Sequence, residues 1–177
     1  MQRRQVLLWA IAAERQLDRW EALVMEHVAG RMNPNVPRIS DARIWQGETE
    51  HHFAVVAMDH MLEALRVWTV DVPLPPLVVQ EVAEVRDLAT HWKDNMPVFN
   101  MSPRPREPKH STGKSFAARN PARGPYFWTA WTSERGPMLT PNVSGADARR
   151  AVEQVRDAVL AVDPNLTRFV PGTDQPS

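Results

Sequence analysis

Val6-Leu7-Leu8-Trp9-Ala10-Ile11-Ala12-Ala13-Glu14-Arg15-Gln16-Leu17-Asp18-Arg19-Trp20-Glu21-Ala22-Leu23-Val24 decides the fold. Val6, Ala10, Ala13, Leu17, Trp20 and Val24 are spaced 4-3-4-3-4. That spacing lays apolar side chains in one stripe along a helix. It predicts a first helix over about residues 3–28, with Gly30 as its C-cap. Charged residues interrupt the apolar runs too often for a membrane span, and the start reads as structure rather than as a secretory leader.

The same reading extends outward. Asn33-Pro34-Asn35-Val36-Pro37 is an extended loop, and Ser40 or Asp41 caps a short helical lead-in around Ile44 and Trp45. A second helix is predicted over about 48–69. His51, Ala54, Met58, Met61, Leu65 and Trp68 form one stripe, and His52, Asp59, Glu63 and Arg66 form a polar one. Asp71-Val72-Pro73-Leu74-Pro75-Pro76 ends it, since proline disfavours helix in the residue before it. A third helix over about 76–95 turns Val78, Val82, Val85, Ala89 and Trp92 inward. The short connection makes the second and third helices antiparallel neighbours.

Composition changes over 97–124, a basic, proline-rich loop. A small hairpin is predicted over 125–143. Tyr126 to Trp131 is one strand, Ser133-Glu134-Arg135-Gly136 the turn, and Met138 to Val143 the return strand. Ser144 with Asp147 forms a capping box. It opens a fourth helix to about Val162, with Ala148, Val152, Val155, Val159 and Val162 inward and Pro164 as the stop. Residues 171–177 read as a frayed tail. The expected architecture over 1–177 is one mainly α domain: an antiparallel up-down bundle of four principal helices with a small β-hairpin before the last.

The 177 residues can bury a self-sufficient core. Formal net charge is zero, so no global field draws the chain to polyanions or membranes, and an anion site must be a local patch. No cysteine is present, which excludes disulfides, thiolate metal sites and a cysteine nucleophile. A cytoplasmic location fits that composition.

Near the end of the third helix the chain reads Glu84-Val85-Arg86-Asp87-Leu88-Ala89-Thr90-His91-Trp92. At about 100° per residue, Arg86 sits at the edge of the buried face, whereas His91 falls with Asp87 and Glu84 on the polar side. Asp87, one turn before His91, can orient the imidazole and favour its protonated form. A histidine of near-neutral pKa can take the 2′-hydroxyl proton of RNA. A guanidinium can brace the phosphate as charge builds. Such chemistry needs no metal or cofactor.

Arg86-Asp87-Leu88-Ala89-Thr90-His91 resembles the R-x(4–6)-H signature of the HEPN superfamily, helical-bundle proteins that include metal-independent RNases. The resemblance covers roughly residues 1–95. It implies a homodimer whose paired motifs line a cleft between protomers, with RNA as the partner. His91 and Arg86 would be the catalytic pair, Asp87 an assisting group, and a 2′,3′-cyclic phosphate the product. His52 and Asp59 would add a second wall to the cleft. The resemblance does not extend to the basic loop, where Arg104, Arg106, Lys109, Lys114, Arg119 and Arg123 would by their charge alone hold RNA phosphates.

Each feature also has a plainer reading. Arg86 and His91 suit a solvated helix face, and Arg104 with His110 repeats the same spacing in a loop. His52, Asp59, Glu63 and Arg66 suit a salt-bridged surface. The loop cations suit a solvated loop. The rival function is therefore a non-catalytic helical-bundle protein acting through protein contacts. Glu48-Thr49-Glu50-His51 holds one E-x-x-H unit, where a di-iron bundle needs two. His51 continues an apolar stripe and reads as a hydrogen-bonded core residue. Ser111-Thr112-Gly113-Lys114-Ser115 imitates the end of a P-loop, but Pro108 stands where its first glycine belongs.

Overall fold

The computed structural model describes residues 2–32, 35, 40–68, 71–90, 132–133 and 136–172. The described chain is mainly helical. Helix α1 spans Gln2–Met32, α2 Asp41–Val67 and α3 Pro76–Thr90. Strands β1 (Thr132–Ser133) and β2 (Gly136–Pro137) pair antiparallel. Helix α4 spans Gly145–Val162, and a 3-10 helix follows over Pro164–Phe169. No helix among the described residues is long and apolar enough to cross a membrane.

The α1 stripe packs as its spacing requires: Val6, Ala10, Ala13, Leu17, Trp20 and Val24 are all buried. The helix does not stop at Gly30, which is itself buried within it. It ends two residues before Pro34, where the pre-proline restriction takes effect. The expected lead-in and second helix are one element. Ser40 caps α2 by accepting from the Arg43 amide. Gly47 stays helical, and a β-carbon there would only touch Leu23.

Helices α1 and α2 run in opposite directions: Trp9 meets His60, Trp20 meets His51, and Glu26 pairs with Arg43. Their facing stripes join Val78, Val82 and Val85 of α3 and Ala148, Val152, Val155 and Val159 of α4 in one core. Helix α4 opens on the expected capping box. Ser144 Oγ accepts from the Asp147 amide at 3.1 Å, and Asp147 Oδ2 accepts from the Ser144 amide at 3.2 Å. Arg149 clamps α4 to Asp18 and Glu21 of α1, each at 2.7 Å, and Arg156 reaches Glu14 at 2.8 Å. Gly145 leaves room at this seam, because a β-carbon would lie 2.1 Å from Glu21 Oε1 and 3.2 Å from the Trp20 ring and both would have to give way.

Further expectations change. Met138 to Val143 is not a return strand: after a bridge from Met138 to Ser144, residues 139–142 form a bend in which Leu139, Thr140 and Pro141 are buried and Asn142 is exposed. Val162, expected inward, is 44% exposed. Pro164 stops α4 but also starts the 3-10 helix, since its fixed φ suits a first helical position. The expected strand over 126–131, the basic loop over 97–124, residues 91–95 of the third helix and the tail from 173 lie outside the described residues.

Candidate functional site

Arg86 projects from the edge of the buried face of α3, as the helical spacing predicts. Its guanidinium turns toward α2, where its Nε donates to Asp59 Oδ2 at 2.8 Å. The Arg86 side chain is 32% exposed and that of Asp59 only 6%. Asp59, one member of the expected polar stripe, is therefore not part of a solvated face. Burial pushes its carboxyl above the usual range, while the Arg86 charge and hydrogen bond pull it down.

Glu63, one turn along α2, extends the cluster. Its Oε1 lies 3.7 Å from Arg86 Nη2, and its Oε2 lies 3.5 Å from His60 Nδ1. His60 is half-exposed and packs at 4.5 Å, ring centre to ring centre, against Trp9 of α1. At neutral pH the sum is one guanidinium against two carboxylates, with Asp87 next along α3. This arrangement fixes a guanidinium at the seam of two helices.

The structure brings Arg86 of the expected catalytic set together with Asp59 of the expected cleft wall. Asp87 is part-buried on α3. His91 lies outside the described residues, as do Arg104, Arg106, Lys109, Lys114, Arg119 and Arg123. His52 is half-buried, which lowers its pKa by desolvation, and its ring neighbours Phe53. Glu63 and His60, rather than His52, share the cluster with Arg86.

A second polar group is buried. Glu81 of α3 is 2% exposed and holds the 139–143 bend. Its Oε2 accepts from Thr140 Oγ1 and, at 3.1 Å, from the Asn142 amide; its Oε1 accepts from Asn142 Nδ2 at 2.6 Å. Thr140 Oγ1 in turn accepts from the Val143 amide at 3.0 Å. From α2, His51 Nε2 donates to the Leu139 carbonyl at 2.7 Å, with the ring edge-on to Trp20. A carbonyl only accepts, so this nitrogen carries the proton. Full burial lowers the His51 pKa to about 4 and keeps the ring neutral. His51 is thus the hydrogen-bonded core histidine that its stripe predicts.

Glu81 was not singled out in sequence, yet its signal is there: it stands between Val78 and Val82 on the apolar face of α3, where a carboxylate needs partners. No group of three or more histidine and carboxylate side chains that could hold a metal occurs among the described residues. A depression of about 390 Å³ at the α1–α4 seam is lined by Glu21, Met25, Arg149 and Glu153, with Arg149 already bound to Asp18 and Glu21.

The outer side of α2 carries a feature that no predicted site includes. Trp45, Thr49, Phe53, Val56, His60, Glu63 and Val67 are spaced 4-4-3-4-3-4, so they form one ridge. Trp45, Phe53 and Val67 are 68%, 49% and 62% exposed and take no part in the core. Helix α2 thus carries exposed apolar side chains opposite its core face, on a ridge whose His60 also packs on Trp9 and whose Glu63 also reaches Arg86. The chain matches no known family model, no curated protein and no solved structure.

Proposed function

We propose that this chain is a non-catalytic helical interaction protein, an antiparallel up-down bundle that binds a protein partner along the outer ridge of α2. The observation that carries this reading is the exposure of Trp45, Phe53 and Val67 on a helix whose opposite face is already in the core. A soluble domain rarely leaves large apolar side chains aligned on one ridge without a surface to cover them. Arg86 supports it from the other side, because its charge is answered by Asp59 and Glu63.

The test is to replace Phe53 and Val67 with lysine. Substitutions at exposed positions cost about 0.5 kcal/mol or less each, so the pair costs up to about 1 kcal/mol and the thermal midpoint is expected to stay within about 4 °C, while association through the ridge is lost. A fall in midpoint of about 8 °C or more would show that the ridge is packed within the chain, and would overturn the reading.

A second reading is favoured by one specific observation: Arg86 is held by a buried carboxylate, a third exposed, beside a half-exposed imidazole. Buried Asp59 would position the guanidinium for a phosphate, in keeping with the HEPN resemblance. The chain would then be a metal-independent endoribonuclease acting as a homodimer. Arg86 would stabilise the phosphorane, His91 would be the general base, Asp87 would orient it, and the cations between Arg104 and Arg123 would hold RNA. Its test is product analysis in the presence of a chelator: a 2′,3′-cyclic phosphate end that disappears in His91→Ala supports it, and its absence from wild-type digests refutes it.

A further inference from the structure

Resting on the reading of the α2 ridge as a contact surface, we infer that its partner is a second copy of this chain, docked antiparallel along α2 with the two-fold axis at Val56.

The ridge is nearly palindromic about that residue. Phe53 and His60 stand three and four residues away, Thr49 and Glu63 each seven, and Trp45 and Val67 each eleven. An isologous pairing sets each residue beside the position equally far on the other side of the axis. Trp45 then meets Val67 of the partner subunit, Phe53 meets the half of the partner's His60 that Trp9 does not cover, and Val56 meets its own symmetry mate. The large exposed groups cover one another, and Glu63 faces the Thr49 hydroxyl instead of a second carboxylate.

The flanking charges fit the same register. Glu48 and Arg66 are eighteen residues apart, which is five full turns at 3.6 residues per turn. They share one flank of the ridge, eight and ten residues from Val56 on opposite sides. Two-fold pairing brings Glu48 of each copy within about two residues' rise, roughly 3 Å along the axis, of Arg66 of the partner subunit. Neither residue has an ion pair among the described residues. A parallel pairing would instead stack Glu63 on Glu63 and Arg66 on Arg66.

The ridge runs from Trp45 to Val67 of α2, so it is roughly 33 Å long. At roughly 10 Å wide, two copies bury about 660 Å² in total, below the size of a standard stable interface. The pairing is therefore expected to be weak and reversible.

Sedimentation equilibrium of the whole chain from about 10 to 300 μM tests this against that size expectation. A reversible dimer is expected. Glu48→Arg and Arg66→Glu should each weaken it about tenfold or more, and the double exchange should restore it. The chain has no cysteine, so Val56→Cys reports the axis directly: mild oxidation is expected to give a disulfide-linked dimer. A wild-type chain that stays monomeric at the top concentration overturns the self-pairing. So does a dimer that ignores both charge reversals and leaves Val56→Cys uncrosslinked. Either result leaves the ridge as a contact surface for another protein. That broader reading fails separately, through loss of stability in the Phe53 and Val67 lysine variant.

Discussion

Replacing His51 with glutamine should remove a distinct component of the chain's acid sensitivity. The glutamine amide can reach the Leu139 carbonyl much as His51 Nε2 does at 2.7 Å, but it does not titrate. The His51 pKa is lowered from 6.5 to about 4 in the folded chain, chiefly by burial. The unfolded chain therefore binds a proton between those values that the folded chain does not. Stability from this group is complete above pH 6.5 and is lost as pH falls toward 4. At 1.36 kcal/mol per unit, the loss is about 3 kcal/mol. Glu48 and Asp59 act with the opposite sign: burial raises their pKa values, so folded-state protonation favours the fold at low pH. Those contributions are common to both proteins and cancel in the comparison. At pH 7 the variant should be less stable by about 1–3 kcal/mol, because its buried amide oxygen lacks a designed partner. Urea unfolding at intervals from pH 7 to 4, followed by helical circular dichroism, gives the two curves. The gap should close by about 3 kcal/mol as pH falls. Parallel curves across this range would refute the neutral, buried, carbonyl-bound histidine.

Further perturbations probe other joints of the fold. Glu81→Leu strips the 139–143 bend of its acceptors and should cost about 2–4 kcal/mol, for loss of a buried charged hydrogen-bond acceptor; Glu81→Gln should cost less, and equal losses in chemical denaturation would contradict the hydrogen-bond account. Asp59→Asn and Arg86→Met should each destabilise by about 1–2 kcal/mol, with a coupling of about 1 kcal/mol in the double-mutant cycle; additive effects would show that the pair contributes nothing. Gly145→Ala should lower stability by about 1–2 kcal/mol in thermal unfolding, because the new methyl displaces Glu21 from Arg149 and presses on Trp20; an unchanged midpoint would mean that the seam relaxes freely.

The helices were legible wherever a residue's period and its burial agree. The α1 stripe, the valines of α3 and the Ser144–Asp147 box all express local rules that tertiary packing reinforces. The end of α1 was misplaced because Gly30 permits a C-cap without requiring one. The 138–143 segment was misread as a strand because its apolar ends suit either structure. What decides it is Glu81, far away in sequence, whose carboxylate offers the bend acceptors that a strand would have to find in a neighbour. The candidate site was half legible. Helical angle placed Arg86 at the edge of the core, but no local rule says which carboxylate a guanidinium will meet across a helix seam. Asp59 looked like a member of a solvated stripe and proves to be the buried partner. The outer ridge of α2 went unread because a helix apolar on two faces yields no single preferred side.

On the proposed reading, this chain works through the surface of α2 and not through chemistry at Arg86. The decisive experiment is turnover of a long single-stranded RNA by the wild-type chain and by Arg86→Met, side by side and free of divalent metal. Equal, background-level decay of the RNA in both is the predicted result. Cleavage by the wild-type chain that vanishes with Arg86→Met would contradict the claim.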